Sequence, residues 1–148
     1  MTLEAVLAAF HLLAILTMVV FLSSEAALCR SEWMNAAVVQ RLARLDLIYG
    51  IAAAAVLATG LARVLLGAKG VGWYVSQPLF HVKITLFVAA GLMSIKPTLV
   101  IRRWLRELQG SGQLPDGQQV LATRRWIMWQ AHLIPVIAVI AVFWARGM

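Results

Sequence analysis

The hydrophobic pattern divides the chain into four long apolar segments. They lie at roughly residues 3–28, 46–67, 79–101 and 126–145. Each is close to the ~20 residues that a helix needs to cross a bilayer, and each exceeds the ~10 residues of a membrane β-strand. Strict alternation of apolar and polar positions is also absent. The pattern predicts an all-α integral membrane protein, a four-helix bundle that forms one domain over residues 1–148.

Composition supports the membrane assignment. Of the 148 residues, 62% are hydrophobic and 13% are charged, and the mean hydropathy is +0.85. A water-soluble domain of this length could not hide so much apolar surface in one core. The residues from Met1 to Glu4 lack the positive charge that precedes a cleaved signal peptide, so we expect the first segment to be a retained span. The single cysteine, Cys29, excludes an internal disulfide and is interpreted as a small apolar core residue.

The positions of the basic residues predict the orientation. The first connection carries Arg30, Arg41 and Arg44, and the third carries Arg102, Arg103, Arg106, Arg124 and Arg125. The positive-inside rule places these two connections in the cytoplasm and leaves both termini outside, together with the second connection and its Lys69. We therefore expect a multi-pass protein of the cytoplasmic (inner) membrane. Basic clusters between apolar runs are typical of such loops and not of a nucleic-acid surface, so nucleic-acid binding is not expected.

Two features of the apolar segments predict packing. Asp46, Gly50, Ala54, Ala58 and Ala62 recur every four residues in the second segment. Small residues at this spacing mark close helix packing in lipid, so we expect this stripe to face a neighbouring helix or, alternatively, to leave room for a flat cofactor. We also expect Asp46 to form a salt bridge with a nearby arginine.

A group of ionisable residues inside the apolar segments is the candidate site. His81 and Lys83 lie just inside one face of the membrane, at the start of the third segment. His11 lies about 12 Å along the first helix, at a depth close to that of Arg63 and His81. Ionisable groups at such depth are costly and indicate function. An imidazole is a good axial ligand for haem iron, and cations nearby can pair with porphyrin propionates.

Each candidate residue has a simpler alternative. His11 and His81 could hydrogen-bond a carbonyl across helices, and Arg63 and Lys83 could extend to the outer interface. His132 lies deeper in the fourth segment, and we interpret it as a packing or hydrogen-bonding residue. Clustered zinc or iron–sulfur ligands and a CxxCH haem-attachment motif are absent from the sequence, so redox chemistry would require a bound cofactor. On the first helix, Met18, Glu25 and Cys29 share the face of His11, with Glu25 expected to pair with an arginine.

Several stretches resemble a family of bacterial four-helix membrane proteins of uncharacterised function. They are HLLAILTMVVFLSSEAALCR, RLDLIYG, GVGWYVSQPLFHVK, SIKPTLVIRRW and QAHLIPVIAVIAVFWARGM. More distantly, the pattern is similar to the HemJ family, membrane-bound protoporphyrinogen oxidases that bind b-type haem. In this comparison His11 matches the histidine of the first span, and residues 80–83 match a tryptophan-to-lysine pattern in which Phe80 replaces the tryptophan. The acid of the fourth span is missing from residues 130–135.

The leading hypothesis is a membrane protein that binds b-type haem or porphyrin, an oxidoreductase of the HemJ kind. His11 is the expected axial ligand, His81 the candidate second ligand, and Arg63 and Lys83 the propionate partners. The lipid bilayer, a porphyrin substrate or redox partner, and a second copy of the chain are the partners considered. The alternative is a cofactor-free membrane assembly or interaction protein, in which the same polar groups serve helix packing. A small-solute transporter is a weaker third hypothesis.

Overall fold

Four long helices form the protein. The computed structural model describes residues 2–67 and 69–146. The long helices are α1 (Thr2–Leu28), α2 (Ala36–Leu66), α4 (Pro78–Ser111) and α5 (Gly117–Ala145), with a short helix α3 (Gly70–Val75) and one 3₁₀ turn (Ser31–Trp33) in the connections. All four long helices are apolar and long enough to cross a membrane. The predicted all-α class and the number of spans are confirmed.

Local sequence signals set where α2 and α4 begin and end. The side chain of Asn35 caps α2 by accepting a hydrogen bond of 2.9 Å from the backbone N–H of Val38. Pro78 occupies the first turn of α4, where its missing N–H costs nothing. Gly112 ends α4 with a φ of 71°, the left-handed conformation that glycine adopts without strain.

The start of α5 shows a predicted motif that forms only in part. Asp116 followed by Gln119 predicts a capping box, and the Asp116 side chain does accept a hydrogen bond of 2.7 Å from the Gln118 N–H. The Gln119 side chain does not return to the cap. Its Oε1 accepts a hydrogen bond of 3.2 Å from the indole Nε1 of Trp104 on α4. Gln119, which would complete the capping box, instead links α5 to α4.

The four long helices pack as an up-and-down bundle. Helix α1 packs mainly against α2, and α4 packs mainly against α5, while α2 with α4 and α1 with α5 complete the ring. One end of the bundle carries the connections at residues 29–35 and 112–116, and we call it the arginine end. The opposite end, called the aromatic end, carries α3 and both described chain ends. Which end faces the cytoplasm stays a prediction.

The helices extend beyond the apolar segments at the arginine end. Helix α2 starts at Ala36 rather than at 46, and α4 continues to Ser111 rather than ending at 101. At 31 residues, α2 is about 46 Å long, which exceeds the ~30 Å of a hydrocarbon core. Much of the best-buried apolar core lies in these extensions, and it includes Val39, Leu42, Trp104 and Val120.

The predicted packing of the small-residue stripe is wrong. Gly50, Ala54 and Ala58 are exposed on the outside of the bundle. The buried face of α2 is formed instead by Val39, Leu42, Asp46, Tyr49, Ala52 and Val56. Their spacing of three and four residues follows the 3.6-residue turn, whereas a strict spacing of four rotates by ~40° per step around the helix. The stripe starts at buried Asp46 and turns away from the core.

Candidate functional site

The hydrogen-bond geometry around His11 favours one tautomer of its ring. His11 is 7% exposed, and its Nδ1 lies 2.8 Å from Oγ1 of Thr59 on α2. The Thr59 hydroxyl already donates its only proton to the backbone carbonyl of Ala55, 2.6 Å away. When the Thr59 hydroxyl donates to Ala55, Nδ1 carries the hydrogen and donates to Thr59. In this tautomer of the neutral ring, Nε2 carries the lone pair.

A glycine lets the histidine ring lie close to α2. A Cβ atom added to Gly60 would meet Cε1 of His11 at 3.2 Å, which is tighter than ordinary van der Waals contact. Any larger residue would push the ring and lengthen its hydrogen bond to Thr59. Thr59 and Gly60 together hold His11 in one orientation.

Two cations lie near His11, as predicted from their depth. Arg63 of α2 and Lys83 of α4 are both half-buried and close enough to act electrostatically on His11 and on each other. Among the residues that the structure describes, neither forms a salt bridge with a carboxylate. The site is therefore rich in hydrogen-bond donors and positive charge and has no internal counter-ion.

Aromatic side chains cover this cluster at the end of the bundle. The rings of Trp73, Tyr74 and Phe80 lie 5.7, 5.5 and 6.2 Å from the Trp144 ring, between centroids. The Lys83 Nζ lies 5.6 Å from the Trp144 ring, within the range of a cation–π interaction. The indole Nε1 of Trp144 is buried and has no acceptor among the described residues. This is a further unused donor at the same end.

His81 is placed differently from His11. It is exposed at the start of α4, and its Nε2 lies 2.7 Å from the backbone carbonyl oxygen of Val75 in α3. A carbonyl only accepts, so Nε2 carries the hydrogen and only Nδ1 has a free lone pair. His11, Arg63 and Lys83 thus form one cluster, whereas His81 is hydrogen-bonded toward the adjacent short helix.

A comparison with protein families identifies the group to which the chain is related. The sequence profile of a family described as "Predicted membrane protein (DUF2214)" matches residues 3–148. The chain belongs to the DUF2214 family. No curated protein and no solved structure matches it. The resemblance to the HemJ family has no counterpart among these findings and stays a prediction.

The predictions for the other three polar residues of this DUF2214 protein have different outcomes. Glu25 and Asp46 were each expected to pair with an arginine, but neither forms a salt bridge within the described residues. Asp46 instead accepts a hydrogen bond of 2.7 Å from the Thr98 hydroxyl. His132 is exposed and its Nδ1 donates to the backbone carbonyl of Met128 at 2.6 Å, which confirms its interpretation as a hydrogen-bonding residue.

The environment of Cys29 confirms its interpretation as a core residue. The thiol is 0% exposed and lies 3.8 Å from the backbone carbonyl of Val120 on α5. Burial, and to a lesser degree the neighbouring Glu25, raises the pKa of the Cys29 thiol to about 12, although Arg124 acts in the opposite direction. A thiol in this state is neither a nucleophile nor a ready metal ligand at neutral pH.

Sequence reasoning missed Thr59, Gly60 and Trp144 in the DUF2214 site. Thr59 is an isolated hydroxyl residue in an apolar run. It lies four residues before Arg63, and this spacing, which puts both residues on one face of α2, could have indicated that Thr59 belongs to the site. The contact of Gly60 with the histidine ring depends on the rotation of α1 relative to α2. Trp144 is far from the site in sequence and reaches it because α5 ends beside α3 and α4.

Proposed function

We propose that this protein binds b-type haem or a related porphyrin, with Nε2 of His11 as the axial ligand and Arg63 and Lys83 as partners of the propionates. The observation that supports it most is the hydrogen bond from His11 Nδ1 to Thr59. A histidine that binds a metal commonly donates its other ring N–H to a fixed acceptor, which sets the tautomer and the ring orientation. His11 and Thr59 offer this arrangement, and in the corresponding tautomer Nε2 carries the lone pair.

The charge of the site supports an anionic ligand. Arg63, Lys83 and the indole N–H of Trp144 are all donors, and the described residues around them supply no carboxylate to pair with. Two propionates would satisfy these groups by charge-assisted hydrogen bonds. The aromatic rings offer flat apolar surface beside them.

The scarcity of metal ligands favours a haem over a bare ion. The described residues contain no group of three or more His, Cys, Asp or Glu side chains close enough to hold a metal ion together. A bare transition-metal ion would need about that many ligands, whereas haem iron takes one or two from the protein. A bound haem would supply the one-electron chemistry of an oxidoreductase of the HemJ kind, and Thr59 and the aromatic residues would hold and shield the ligand.

The test is the absorption spectrum of the protein purified after expression with ample haem. We expect a Soret band in the wild-type protein and its loss in His11→Ala. His132→Ala is the matched control, because it removes a histidine that is bonded within its own helix, and the spectrum should stay unchanged.

Three further variants refine the assignment. His81→Ala should leave haem bound and convert a six-coordinate spectrum to a high-spin one if His81 is the second ligand, or leave the spectrum unchanged if ligation is five-coordinate. Arg63→Gln and Lys83→Gln should weaken haem retention without changing the ligand field, because the propionates do not touch the iron.

A colourless wild-type protein that also fails to take up added haem contradicts the proposal. The cofactor-free assembly or interaction protein would then be the better hypothesis. A Soret band that survives His11→Ala contradicts the assignment of the ligand but not the binding of haem.

A further inference from the structure

A second polar site lies at the other end of the α1–α2 interface. Glu25 occupies the same face of α1 as His11, about 21 Å further along the helix. It is 2% exposed, and Asp46 of α2 is 5% exposed. The two carboxyl groups lie within hydrogen-bonding reach of each other. Two of the six acidic residues of the chain are therefore buried in mutual contact.

The contact is unexpected because positive charge is plentiful. The chain has 13 lysines and arginines, yet neither carboxyl group forms a salt bridge in the described structure. Oε1 of Glu25 is buried and receives no hydrogen bond from any N–H or hydroxyl group of the described residues. One oxygen of Asp46 is satisfied by the Thr98 hydroxyl. The unpartnered oxygen of Glu25 therefore needs something that the described side chains do not supply.

The repulsion between the two carboxylates indicates that the missing partner is a proton. Two ionised carboxylates in contact, with little water around them, repel strongly, and such pairs are stable when they share one proton. A proton on one carboxyl group turns it into a donor, and the contact becomes an O–H···O hydrogen bond. This satisfies both groups without a cation.

The surroundings of the pair come from all four long helices. Helix α2 contributes Tyr49, one turn from Asp46 and close to both carboxyl groups. Helix α4 contributes Thr98 and Arg102, and the charge of Arg102 acts on Asp46 from a distance. Cys29 follows the end of α1, and α5 contributes Arg124, whose Nε lies 3.4 Å from the Ala26 carbonyl. The charge of Arg102 limits the cost of a second negative charge when a proton leaves.

We propose that Glu25 and Asp46 form a proton-binding site, which holds one shared proton at neutral pH and exchanges it with water at the arginine end of the bundle. Glu25 lies three residues from the end of α1, whereas Asp46 lies ten residues inside α2. In the exchange, the O–H bond of the carboxyl group breaks, the proton passes to a water molecule, and two carboxylates remain. The site is independent of haem binding.

The test is infrared spectroscopy of the wild-type protein in lipid nanodiscs at pH 7, in H₂O and in D₂O. The other four acidic residues are exposed or partly exposed, unlike the buried pair. We expect the C=O stretching band of one protonated carboxyl group per chain, and a shift of this band in D₂O. The double variant Glu25→Gln/Asp46→Asn should lose the band, and the exposed acid variant Glu4→Gln should keep it.

Three outcomes would overturn the proposal. The first is a wild-type protein without a protonated carboxyl band, including one in which a metal ion found in the purified protein replaces the proton. The second is a band that does not shift in D₂O while the protein stays folded, because the proton would not exchange. The third is a band whose frequency is the same in Asp46→Asn as in the wild type, because the two groups would then not share a proton. The wild-type measurements do not depend on the folding of any variant.

Discussion

The two ends of the bundle are built from the same four helices but differ in packing and in charge. At the arginine end, Val39, Leu42, Trp104 and Val120 are completely buried, and the polar site consists of two acids in contact. At the aromatic end, the core is less enclosed, and the polar site consists of donors and cations around His11. The α1–α2 interface connects the two sites.

The difference follows from the solvent around each end. These four core residues lie outside the apolar segments of the sequence, where the helices continue past the hydrocarbon core. The hydropathy pattern predicts water around the bundle there, where apolar side chains gain free energy by turning inward. Inside the membrane the lipid is as apolar as leucine, and this driving force between helices is missing. The tightest core is therefore found where the sequence predicts that the bundle leaves the membrane.

The largest expected effect concerns the side of the membrane on which each end of the bundle lies. The arginine-rich connections predict that the arginine end is cytoplasmic and that both termini are outside. A reporter fused to the carboxyl terminus, or a cysteine introduced near residue 71 and treated with an impermeant reagent, should show the outer side. Labelling of position 71 only after the membrane is opened would reverse the assignment and place the His11 site near the cytoplasm.

Truncation of a core tryptophan should give the next largest effect. Trp104 is 0% exposed and donates a hydrogen bond to Gln119, so Trp104→Ala should lower the free energy of unfolding by about 3–5 kcal/mol. Trp129 is 70% exposed, and Trp129→Ala should change it by less than about 0.5 kcal/mol. Unfolding in detergent measures both. Equal losses would mean that the arginine end is no better packed than the lipid-facing surface.

Two neighbouring alanines of α2 test which face of this helix is buried. Ala52 is in the core and Ala54 points outward. Ala52→Leu should overpack the bundle and cost about 1–3 kcal/mol, whereas Ala54→Leu should cost much less because its side chain meets lipid. Thermal stability in detergent or lipid compares the two. A larger loss for Ala54→Leu would show that the small-residue stripe packs against another helix, for instance in an oligomer.

The smallest effect is the contribution of Cys29 to the pH dependence of stability. Burial raises the pKa of this thiol from 9.0 to about 12, so the folded chain holds the proton more tightly than the unfolded chain. The protonated Cys29 thiol therefore contributes its full stabilisation of the folded chain below pH 9. This contribution is lost as the pH rises from about 9 toward about 12. Stability of the wild type and of Cys29→Ala should converge over this range.

Alkylation gives a direct control for the same residue. N-ethylmaleimide at pH 8 should not modify Cys29 in the folded protein and should modify it after unfolding. In Gln113→Cys, a second cysteine in an exposed connection should react at once. Rapid modification of Cys29 in the folded protein would show that the arginine end opens readily.

Much of the fold and part of the site could be predicted because they depend on local pattern. Four apolar segments of sufficient length predict four spans, since an isolated backbone in lipid must satisfy its own hydrogen bonds. The seven-residue spacing of His11, Met18 and Glu25 predicts one buried face of α1, and all three are buried. Helix depth also places Arg63 and Lys83 near His11.

The partners of the polar groups were decided by the tertiary structure. Glu25 and Asp46 were expected to meet arginines, because the sequence shows many nearby, but their contact depends on how α1 and α2 are rotated against each other. The same rotation brings Thr59 and Gly60 to His11. Sequence spacing determines which residues share a face of one helix, whereas the packing of side chains between helices determines which faces meet.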